Sequence, residues 1–492
     1  MRATGPASID AVIVGSGPNG LAAAATLARA GLRVEVFEAR ESVGGGLRTE
    51  ALFEPDVVHD VCAAVHPMAV ASPFFKEFDL AARGVELLNA EAGYGHPLPD
   101  GRAAIAYRDL DATCAALGRD GRAWHRLMSP LLEHSDAVVR LVLHGGRELP
   151  RHPGAPLALA RGVLLHGTSL ARRQFAEEPA RALLAGVAAH AMGRLPSPPG
   201  AVVALLLGHL AHGPGWSLPR GGSAAIARAL VEDIARHGGR VNTDSRVDDL
   251  AQLPSSRAVL LDVGPREFLR IAGSGLPARY ARALRRFRYG PGAAKVDFLV
   301  SEPVPWRDLA LNLAGTVHLG GSAREIFRQE TATAHGRPGE EPFVLVVDPA
   351  ATDPSRALPS RRPLWAYAHV PNGDSGDPVE RITARIEQFA PGFRDTVLAA
   401  RGISAREYET YNPNYVGGDI GAGAMTLGQS LFRPAPRLDP YRTPLPGVYL
   451  CSASTPPGPG VHGMPGYLAA RSVLRREFGA AVPSLAPQQE PG

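Results

Sequence analysis

The sequence predicts an α/β protein in which a parallel sheet is interrupted by an inserted α+β domain. A strand, a glycine turn and a helix open the chain, and an apolar strand followed by a glycine- and proline-rich loop lies near residue 450. With 492 residues the chain is too long for one small core. Because the first and last segments both look like parts of one sheet, we expect the second domain to be inserted between them.

The opening segment has the pattern of a Rossmann-like βαβ unit that binds a dinucleotide. Residues 11–14 form an apolar run suited to a buried parallel strand, and an alanine-rich helix is predicted over residues 18–30. The G-x-G-x-x-G turn between them allows a tight bend, close approach of the backbone to a pyrophosphate, and close packing of helix on strand. Glu38 ends the next strand, where its carboxylate would accept hydrogen bonds from ribose hydroxyls. The turn residues expected to bind the nucleotide are Gly15, Ser16, Gly17, Pro18, Asn19 and Gly20.

A second glycine cluster distinguishes FAD from NAD as the cofactor. Glycines at 44–46 precede Arg48, and together they supply further backbone donors and a cation for the flavin half of the pyrophosphate. A nicotinamide enzyme has no need of this cluster, and a dedicated NAD(P)H domain is not expected. We therefore predict FAD as the cofactor. The residues of this segment that are predicted to bind it are Glu38, Ala39, Arg40, Gly45, Gly46 and Arg48.

The middle of the chain divides into segments predicted to be mainly helical and segments predicted to be mainly strands. Helices are predicted over residues 122–143, 172–190 and 224–237, and strands over 294–300 and 343–348. The last strand is expected near residues 448–452 and the last helix over 465–478. The predicted division is an FAD-binding domain in three segments (1–95, 212–268 and 430–480), a substrate domain with a helical segment (96–211) and a strand-rich segment (269–429), and a disordered tail (481–492).

Several further segments resemble the phytoene-desaturase-like FAD oxidoreductases, within the wider amine-oxidase-like group of flavoproteins. The resemblance covers nearly the whole chain and implies a GR2-type flavoprotein fold. Beyond the N-terminal glycines it rests on residues 59–67 (HDVCAAVHP), the turn at 219–222 (PRGG), residues 356–359 (RALP), residues 390–395 (APGFRD) and the C-terminal block from 449 to 466.

The resemblance implies further contacts with the cofactor. Val247 would lie against the adenine through its backbone, and the helix that starts near residue 465 would point its positive end at the flavin ring. Where relatives have Cys-Gly-Ala, this chain has Cys-Ser-Ala, which would set the backbone slightly farther from the phosphates. The C-terminal residues implied in binding are Ser452, Ala453, Val461, His462, Gly463 and Met464.

Two residues are candidates for acid–base chemistry. Lys295 resembles the position at which amine-oxidase-like flavoenzymes place a lysine near flavin N5, and it is one of two lysines in a chain that otherwise uses arginine. A lysine at the end of a strand with a purely structural role is an equal alternative. The resemblance places His462 on the flavin loop, where it would act as an acid or base or only hydrogen-bond the nearby backbone.

The function predicted from these residues is FAD-dependent desaturation, dehydrogenation or double-bond isomerisation of a hydrophobic, polyene- or isoprenoid-like substrate. Oxygen or a quinone would accept the electrons, because the sequence shows no NAD domain. One alternative is a flavin amine or amino-acid oxidase, which would be expected to use an aromatic cage. Another is a flavin-binding partner protein without catalysis.

Composition and charge exclude several other classes of protein. The net charge of +4 comes from scattered arginines, so no nucleic-acid partner is expected. His209 and His212 have no carboxylate or cysteine partner, and no metal site is predicted. The three cysteines form no CxxC pair, and no apolar run is long enough to span a bilayer. A cytoplasmic protein is expected, with peripheral membrane contact allowed and the oligomeric state open.

Overall fold

Five short parallel strands form the sheet at the centre of the first domain. The computed structural model describes residues 9–144, 153–339 and 341–487. The strand order across this parallel sheet is Val448–Leu450, Ala258–Leu261, Ala11–Val14, Val34–Phe37 and Arg240–Asn242. Its strands therefore come from the beginning, the middle and the end of the chain, and the intervening residues build the second domain.

Apolar helices cover both faces of the parallel sheet, as a buried parallel sheet requires. Helix Pro18–Arg29 packs against helix Met464–Val473 so closely that a Cβ on Gly466 would stand 1.8 Å from the carbonyl oxygen of Asn19. The structure contains the predicted first, second and last strands and the predicted first helix, and their bounds lie within a few residues of the predicted ones. The α-helices of this part are Pro18–Arg29, Pro67–Ala71, Pro73–Phe78, Ala224–Arg236, Pro265–Ala272, Ala278–Arg285 and Met464–Val473, the last continuing as a π-helical turn at Leu474–Phe478.

A seven-stranded mixed sheet forms the second domain. Its order is Val397–Ile403, Gly292–Val300, Arg362–Val370, Val344–Val347, Ala314–Leu319, Ala92–Pro97 and Ala103–Tyr107. All neighbours are antiparallel except Ala314–Leu319 and Ala92–Pro97, which run parallel. Two short antiparallel pairs, Thr49–Ala51 with Val58–Asp60 and Leu87–Leu88 with Leu218–Pro219, complete the strands of the described residues.

Helices lie on both faces of the mixed sheet, which explains why its central strands are buried on both sides. Helix Val379–Phe389 covers one face through Ile382 and Ile386. The opposite face meets the helical segment. The helices of that segment are Leu110–Ala116, Gly121–Glu133, Ser135–Leu143, Gly154–His166, Glu178–Ala188 and Pro198–Ala211, and those of the strand-rich segment are Ala323–Ala334, Pro349–Thr352, Val379–Phe389, Phe393–Thr396, Ala405–Tyr411 and Leu427–Phe432.

Two predicted helices differ from the observed ones. The helix predicted over 122–143 is two helices that meet at His134, where the backbone leaves helical geometry at φ −115°. Pro130 weakens the preceding turn because it donates no backbone hydrogen bond. The helix predicted over 172–190 starts only at Glu178, where Pro179 occupies the first turn. The late start at Glu178 follows from Pro179, which a hydrophobic pattern does not register.

The structure also differs from the predicted disorder of the tail over residues 481–487. Leu485 is fully buried, and its amide donates to the carboxylate of Glu77 at 3.0 Å. Arg29 donates to the carbonyls of Ser484 and Ala486, and Arg83 donates to that of Leu485. These contacts hold the segment against the parallel-sheet domain. The remainder of the predicted tail, 488–492, lies outside the described residues.

Candidate functional site

A single elongated cavity of about 1210 Å³ connects the two domains. At one end it touches the glycine turn and the carboxyl ends of the parallel strands, which is where sheets of this kind bind nucleotides. At the other end it reaches the face of the mixed sheet, whose lining residues are Thr316, Leu345, Val347, Trp365 and Tyr367. One continuous cavity therefore joins a nucleotide-type site to an apolar chamber.

The glycine turn has the tight geometry that the motif predicts. Gly15 adopts φ +97°, a conformation that favours glycine. A Cβ on Gly20 would stand 2.1 Å from the carbonyl oxygen of Gly15, so only glycine lets the helix approach the strand this closely. A Cβ on Gly45 would stand 3.0 Å from the Cα of Gly17, which brings the second glycine cluster directly onto the first. The two clusters form one cradle of exposed backbone.

The carboxylate of Glu38 connects the first glycine turn with the segment that carries the second glycine cluster. One carboxylate oxygen accepts from the amide and the hydroxyl of Ser16 at 3.0 and 2.5 Å. The other accepts from the amide of Arg40 at 3.0 Å and from the guanidinium of Arg48 at 3.2 Å. A carboxylate has about four lone-pair sites, so a ribose hydroxyl bound here would replace one of these donors. Arg48 is thereby turned toward Glu38, with its guanidinium also over the ring of Tyr411.

Asp262 is a second carboxyl at the cradle. It directly follows the strand Ala258–Leu261, and its Oδ2 accepts from the amide of Gly20 at 2.9 Å. Burial raises the pKa of Asp262 to about 7. Since the side chain lines the cavity beside the expected phosphates, a neutral carboxyl suits this position better than a carboxylate would.

Asp60 joins three of the segments that carry the family resemblance. Its carboxylate accepts from the amide of Ser223 at 2.8 Å and from the guanidinium of Arg356 at 2.6 Å. The hydroxyl of Thr49 donates to it as well, at 2.8 Å. Asp60 and Arg356 are both almost completely buried, so the pair is a buried ion pair. The charge of Arg356 helps hold the pKa of Asp60 below its usual value although burial acts in the opposite direction.

Lys295 lies next to residues of the cavity wall. It is fully buried, its Nζ contacts a carboxylate oxygen of Asp297 at 2.5 Å, and it donates to the backbone carbonyl of Asp60 at 3.0 Å. Burial lowers the pKa of Lys295, and the charge of Asp297 acts against that shift. Trp365 and Tyr367, on the neighbouring strand, stand in register with Asp297 and Lys295 and line the cavity themselves. Lys295 does not line it.

His462 does line the cavity, and both of its ring nitrogens are engaged by the backbone. Nδ1 accepts from the amide of Met464 at 3.2 Å, which leaves the proton on Nε2, 3.3 Å from the carbonyl of Pro459. Burial lowers its pKa to about 4. The ring thus holds the loop that leads into helix Met464–Val473, and its role as an acid or base stays a prediction.

Most residues predicted to bind the cofactor meet around the cavity although they come from distant parts of the chain. Those that line it are Gly15, Ser16, Gly17, Pro18, Asn19, Glu38, Ala39, Arg40, Gly45, Gly46, Arg48, Val247, Ser452, Ala453, Val461 and His462. Gly20, Gly463 and Met464 do not line it. Gly20 packs helix on strand as described above, and a Cβ on Gly463 would meet the ring of Phe74 at 2.7 Å. The cradle, the open backbone and the position of Glu38 fit a dinucleotide.

Sequence reasoning missed Asp60, Asp262 and His190 as residues of this site. Asp262 carried a usable signal, because a carboxyl directly after a buried parallel strand lies at the binding edge of the sheet. Asp60 lay inside a segment identified by resemblance, but its partners are up to 296 residues away. His190 has no local pattern at all and joins the cavity only through tertiary structure.

Comparison with known proteins gives the same fold. A family model described as an NAD(P)-binding Rossmann-like domain matches residues 13–78. The chain is 27% identical to mouse pyridine nucleotide-disulfide oxidoreductase domain-containing protein 2, over 95% of this chain and 93% of the mouse protein. It is 27% identical to phytoene dehydrogenase of Streptomyces griseus, over 79% of this chain and 77% of that protein. The solved structure of wild-type putrescine oxidase bound to putrescine gives a TM-score of 0.59 at 19% identity, over 95% of this chain and 99% of the oxidase.

These similarities confirm the predicted α/β fold class, a Rossmann-like domain with an inserted domain. Over most of its length the chain is similar to oxidoreductases whose names point to different substrates. They do not distinguish a phytoene-desaturase-like protein from the wider group. The lining of the cavity is therefore the feature that bears on the substrate.

Proposed function

We propose that the protein is an FAD-dependent oxidoreductase that acts on carbon–carbon bonds of a hydrophobic, polyene- or isoprenoid-like molecule. The observation that carries the proposal is the continuity of the cavity, which runs from the glycine cradle into an apolar chamber. A dinucleotide laid along the cradle would place its far end at the entrance of the chamber. A substrate in the chamber would then meet the cofactor within one cavity.

The cradle favours FAD over NAD because a nicotinamide enzyme has no need of Gly45 and Gly46. Both glycines line the cavity, and Gly45 stands against Gly17 of the first turn, so the second cluster extends the surface available to a pyrophosphate. FAD, when bound, supplies an acceptor for two electrons from a carbon–hydrogen bond. The protein's own residues would hold the cofactor through the turn, Glu38 and Val247, and would exclude water from the substrate.

The walls of the chamber favour a substrate without charge. The charged residues among those that line the cavity are Glu38, Arg40, Arg48, Arg246, Asp262, Glu267 and Arg270, all from the parallel-sheet domain. The chamber itself is lined by aliphatic side chains of helices Ser135–Leu143, Gly154–His166 and Pro198–Ala211, and by the sheet face. An ionised group would lose its hydration there without a partner, at a cost of several kcal/mol (about 3 or more).

Lys295 and His462 are the two residues proposed as the catalytic base. Lys295 would need to exchange its proton through water or by a change of rotamer, because it is fully buried and does not line the chamber. His462 stands at the cavity but has both nitrogens engaged. Of the two, Lys295 has the environment that tunes a pKa, since it is buried beside Asp297. Oxygen or a quinone is the proposed electron acceptor.

We also propose a peripheral contact with a membrane, through which a hydrophobic substrate would enter. Leu427 and Leu431 line the cavity and are each 59% exposed, so the mouth of the chamber presents apolar side chains to the outside. Within the described residues, no helix is long and apolar enough to cross a membrane. The proposed contact is therefore with the surface of a bilayer.

Anaerobic reduction of the purified protein tests the proposed chemistry. We expect the visible absorbance band of the oxidised flavin to bleach with lipophilic polyenes and to remain unchanged with aliphatic amines. The same titration with the Lys295→Met variant measures the proposed base, with Lys76→Met as the control because Lys76 is half-exposed and pairs with Asp136. Bleaching by amines alone would contradict carbon–carbon chemistry.

An amine oxidase is the second candidate, favoured by the structural similarity to putrescine oxidase. Trp365 and Tyr367 pack edge to face at 5.1 Å on the chamber wall and could supply part of an aromatic cage. The described walls of the chamber contain no carboxylate that would pair with an ammonium group. The anaerobic titration separates the two candidates directly.

A further inference from the structure

A pair of histidines lies at the chamber wall. His190 lines the cavity, and its Nε2 lies 2.9 Å from Nε2 of His318, a fully buried residue of strand Ala314–Leu319. The ring of His190 also packs edge-on against Trp216, another cavity residue, with 5.5 Å between the centroids. At this distance one Nε2 must donate a proton to the other, because two lone pairs facing each other repel.

The surroundings of His318 decide which ring donates. Its Nδ1 is buried and has no hydrogen-bond partner among the described residues. Helix Glu178–Ala188 closes over it, since a Cβ on Gly186 would stand only 2.8 Å from this nitrogen. A proton on Nδ1 would be a buried donor with no acceptor, and orphaned donors are rarer in proteins than under-used acceptors. The proton of His318 therefore lies on Nε2 and is donated to Nε2 of His190.

This arrangement fixes the other nitrogen of His190 as a donor. A neutral imidazole has one protonated nitrogen, and Nε2 of His190 is already the acceptor. Its Nδ1 must then carry the proton, and in the described part of the chain that nitrogen has no protein partner. Burial lowers the pKa of His190 to about 3, and the neighbouring His369 acts in the same direction, so the ring is neutral near pH 7. His190 offers the chamber one N–H group and no charge.

We propose that the substrate carries an oxygen acceptor, such as a carbonyl, that binds Nδ1–H of His190 while its hydrocarbon part fills the apolar chamber. This inference rests on the proposed function in taking the chamber as the substrate site. A neutral N–H donor can hydrogen-bond an acceptor oxygen but cannot hydrogen-bond an ammonium group, which is itself only a donor. It also gives an elongated molecule one fixed orientation, which a uniformly apolar wall does not.

Three probes with one carbon skeleton test this: farnesal, whose oxygen only accepts, β-farnesene, which has no polar group, and farnesylamine, which is a donor at pH 7. Binding is followed by quenching of tryptophan emission, because Trp216 and Trp365 line the cavity. We expect the holoprotein to bind farnesal about 3- to 10-fold more tightly than β-farnesene, the range of one net hydrogen bond. Farnesylamine should bind no more tightly than the hydrocarbon.

Two variants assign the preference to His190. His190→Phe removes the donor and should bind farnesal and β-farnesene equally, whereas His190→Asn, whose amide nitrogen can take the place of Nδ1, should retain the preference for farnesal. Equal binding of farnesal and β-farnesene by the wild-type protein, no binding of either, tighter binding of farnesylamine, or a preference that survives in His190→Phe would each overturn the proposal.

The flavin content of the same samples keeps this test separate from the proposed function. A preference for farnesal in a protein that holds no flavin would leave the inference standing and refute the FAD proposal. A flavin-loaded protein without the preference would do the reverse. If His190→Phe fails to fold, the wild-type comparison and His190→Asn still decide the question.

Discussion

Asp60 shows how a single buried residue can determine the geometry of a site that it does not line. Its carboxylate holds Thr49, Ser223 and Arg356, and its carbonyl accepts from Lys295. Those partners come from both domains. Removal of the charge would leave the guanidinium of Arg356 buried without a counter-charge, which is the costly way to break an ion pair.

We expect Asp60→Asn to lower the free energy of unfolding by about 3 kcal/mol or more, as the loss of one partner of a buried pair does. Urea denaturation followed by circular dichroism measures it. Asp56→Asn is the matched control, because Asp56 is exposed in the turn before strand Val58–Asp60 and should change stability by less than about 0.5 kcal/mol. Equal stability of the two variants would show that Asp60 does not organise the site.

Asp262 makes a prediction about the pH dependence of cofactor binding. Its pKa is raised to about 7, with burial as the main cause and the charge of Glu38 adding to it. The carboxyl is therefore neutral below pH 7 and negative above it, where it would repel a pyrophosphate. We expect the dissociation constant of FAD to be flat below about pH 6 and to rise above pH 7, by at most about tenfold per pH unit for one proton.

The Asp262→Asn variant should bind FAD with an affinity that is constant across this range, as measured by quenching of flavin fluorescence in titrations of the apoprotein. Glu267→Gln is the control, because Glu267 also lines the cavity but pairs with Arg270. Its pH dependence should match that of the wild-type protein. A wild-type affinity that increases above pH 7 would contradict the role given to Asp262.

At the scale of secondary-structure elements, the glycine turn could be predicted because its information is local. Strand, turn, helix and Glu38 lie within thirty or so residues, and each position has one physical requirement. The break at His134 and the late start of helix Glu178–Ala188 could not be predicted from the same kind of pattern. There the hydrophobic periodicity continues, and prolines and tertiary contacts decide where a helix begins and ends.

Gly20→Ala tests the turn as a unit. The added Cβ would stand 2.1 Å from the carbonyl of Gly15, and backbone cannot give way as a flexible side chain does. Helix Pro18–Arg29 must shift, at a cost of about 1–3 kcal/mol. We expect lower thermal stability and a flavin content well below one per chain. Gly428→Ala is the control, since a Cβ there meets nothing within 4 Å, and normal flavin content in Gly20→Ala would contradict the predicted role of the turn.

At the scale of the whole molecule, the domain interruption was predictable and the joining of the two domains was not. The sequence predicts buried parallel strands near residues 11 and 450, and the structure joins both to strand Ala258–Leu261 in one sheet. The contact of Asp60 with Arg356 joins the two domains across 296 positions, and that of His190 with His318 joins the two segments of the second domain across 128. No local pattern specifies such pairs.

Buried histidines predict how the whole protein responds to acid. Burial lowers the pKa of seven histidines to about 3 or 4, and these are His66, His96, His166, His190, His209, His212 and His462. In the unfolded chain the same groups would take up protons near pH 6.5. The unfolded state then binds more protons, so the free energy of unfolding should be constant above about pH 7 and fall as the pH drops toward 4.

Each such histidine contributes about 1.4 kcal/mol per pH unit within that window, and Asp262, whose pKa is raised, offsets about one of them. Urea denaturation at a series of pH values measures the slope. His96→Gln should reduce it, while His335→Gln, at an exposed position, should not. Stability that rises as the pH falls from 6.5 to 5 would contradict the neutral, buried state of these rings.

The central claim is that the glycine cradle and the cavity hold a flavin dinucleotide. The absorbance spectrum of the purified protein, taken before and after reconstitution with FAD, tests it most directly. We predict the near-ultraviolet and blue absorbance bands of an oxidised flavin. Denaturation should release one FAD per chain. A colourless protein that takes up no FAD on reconstitution would contradict the claim.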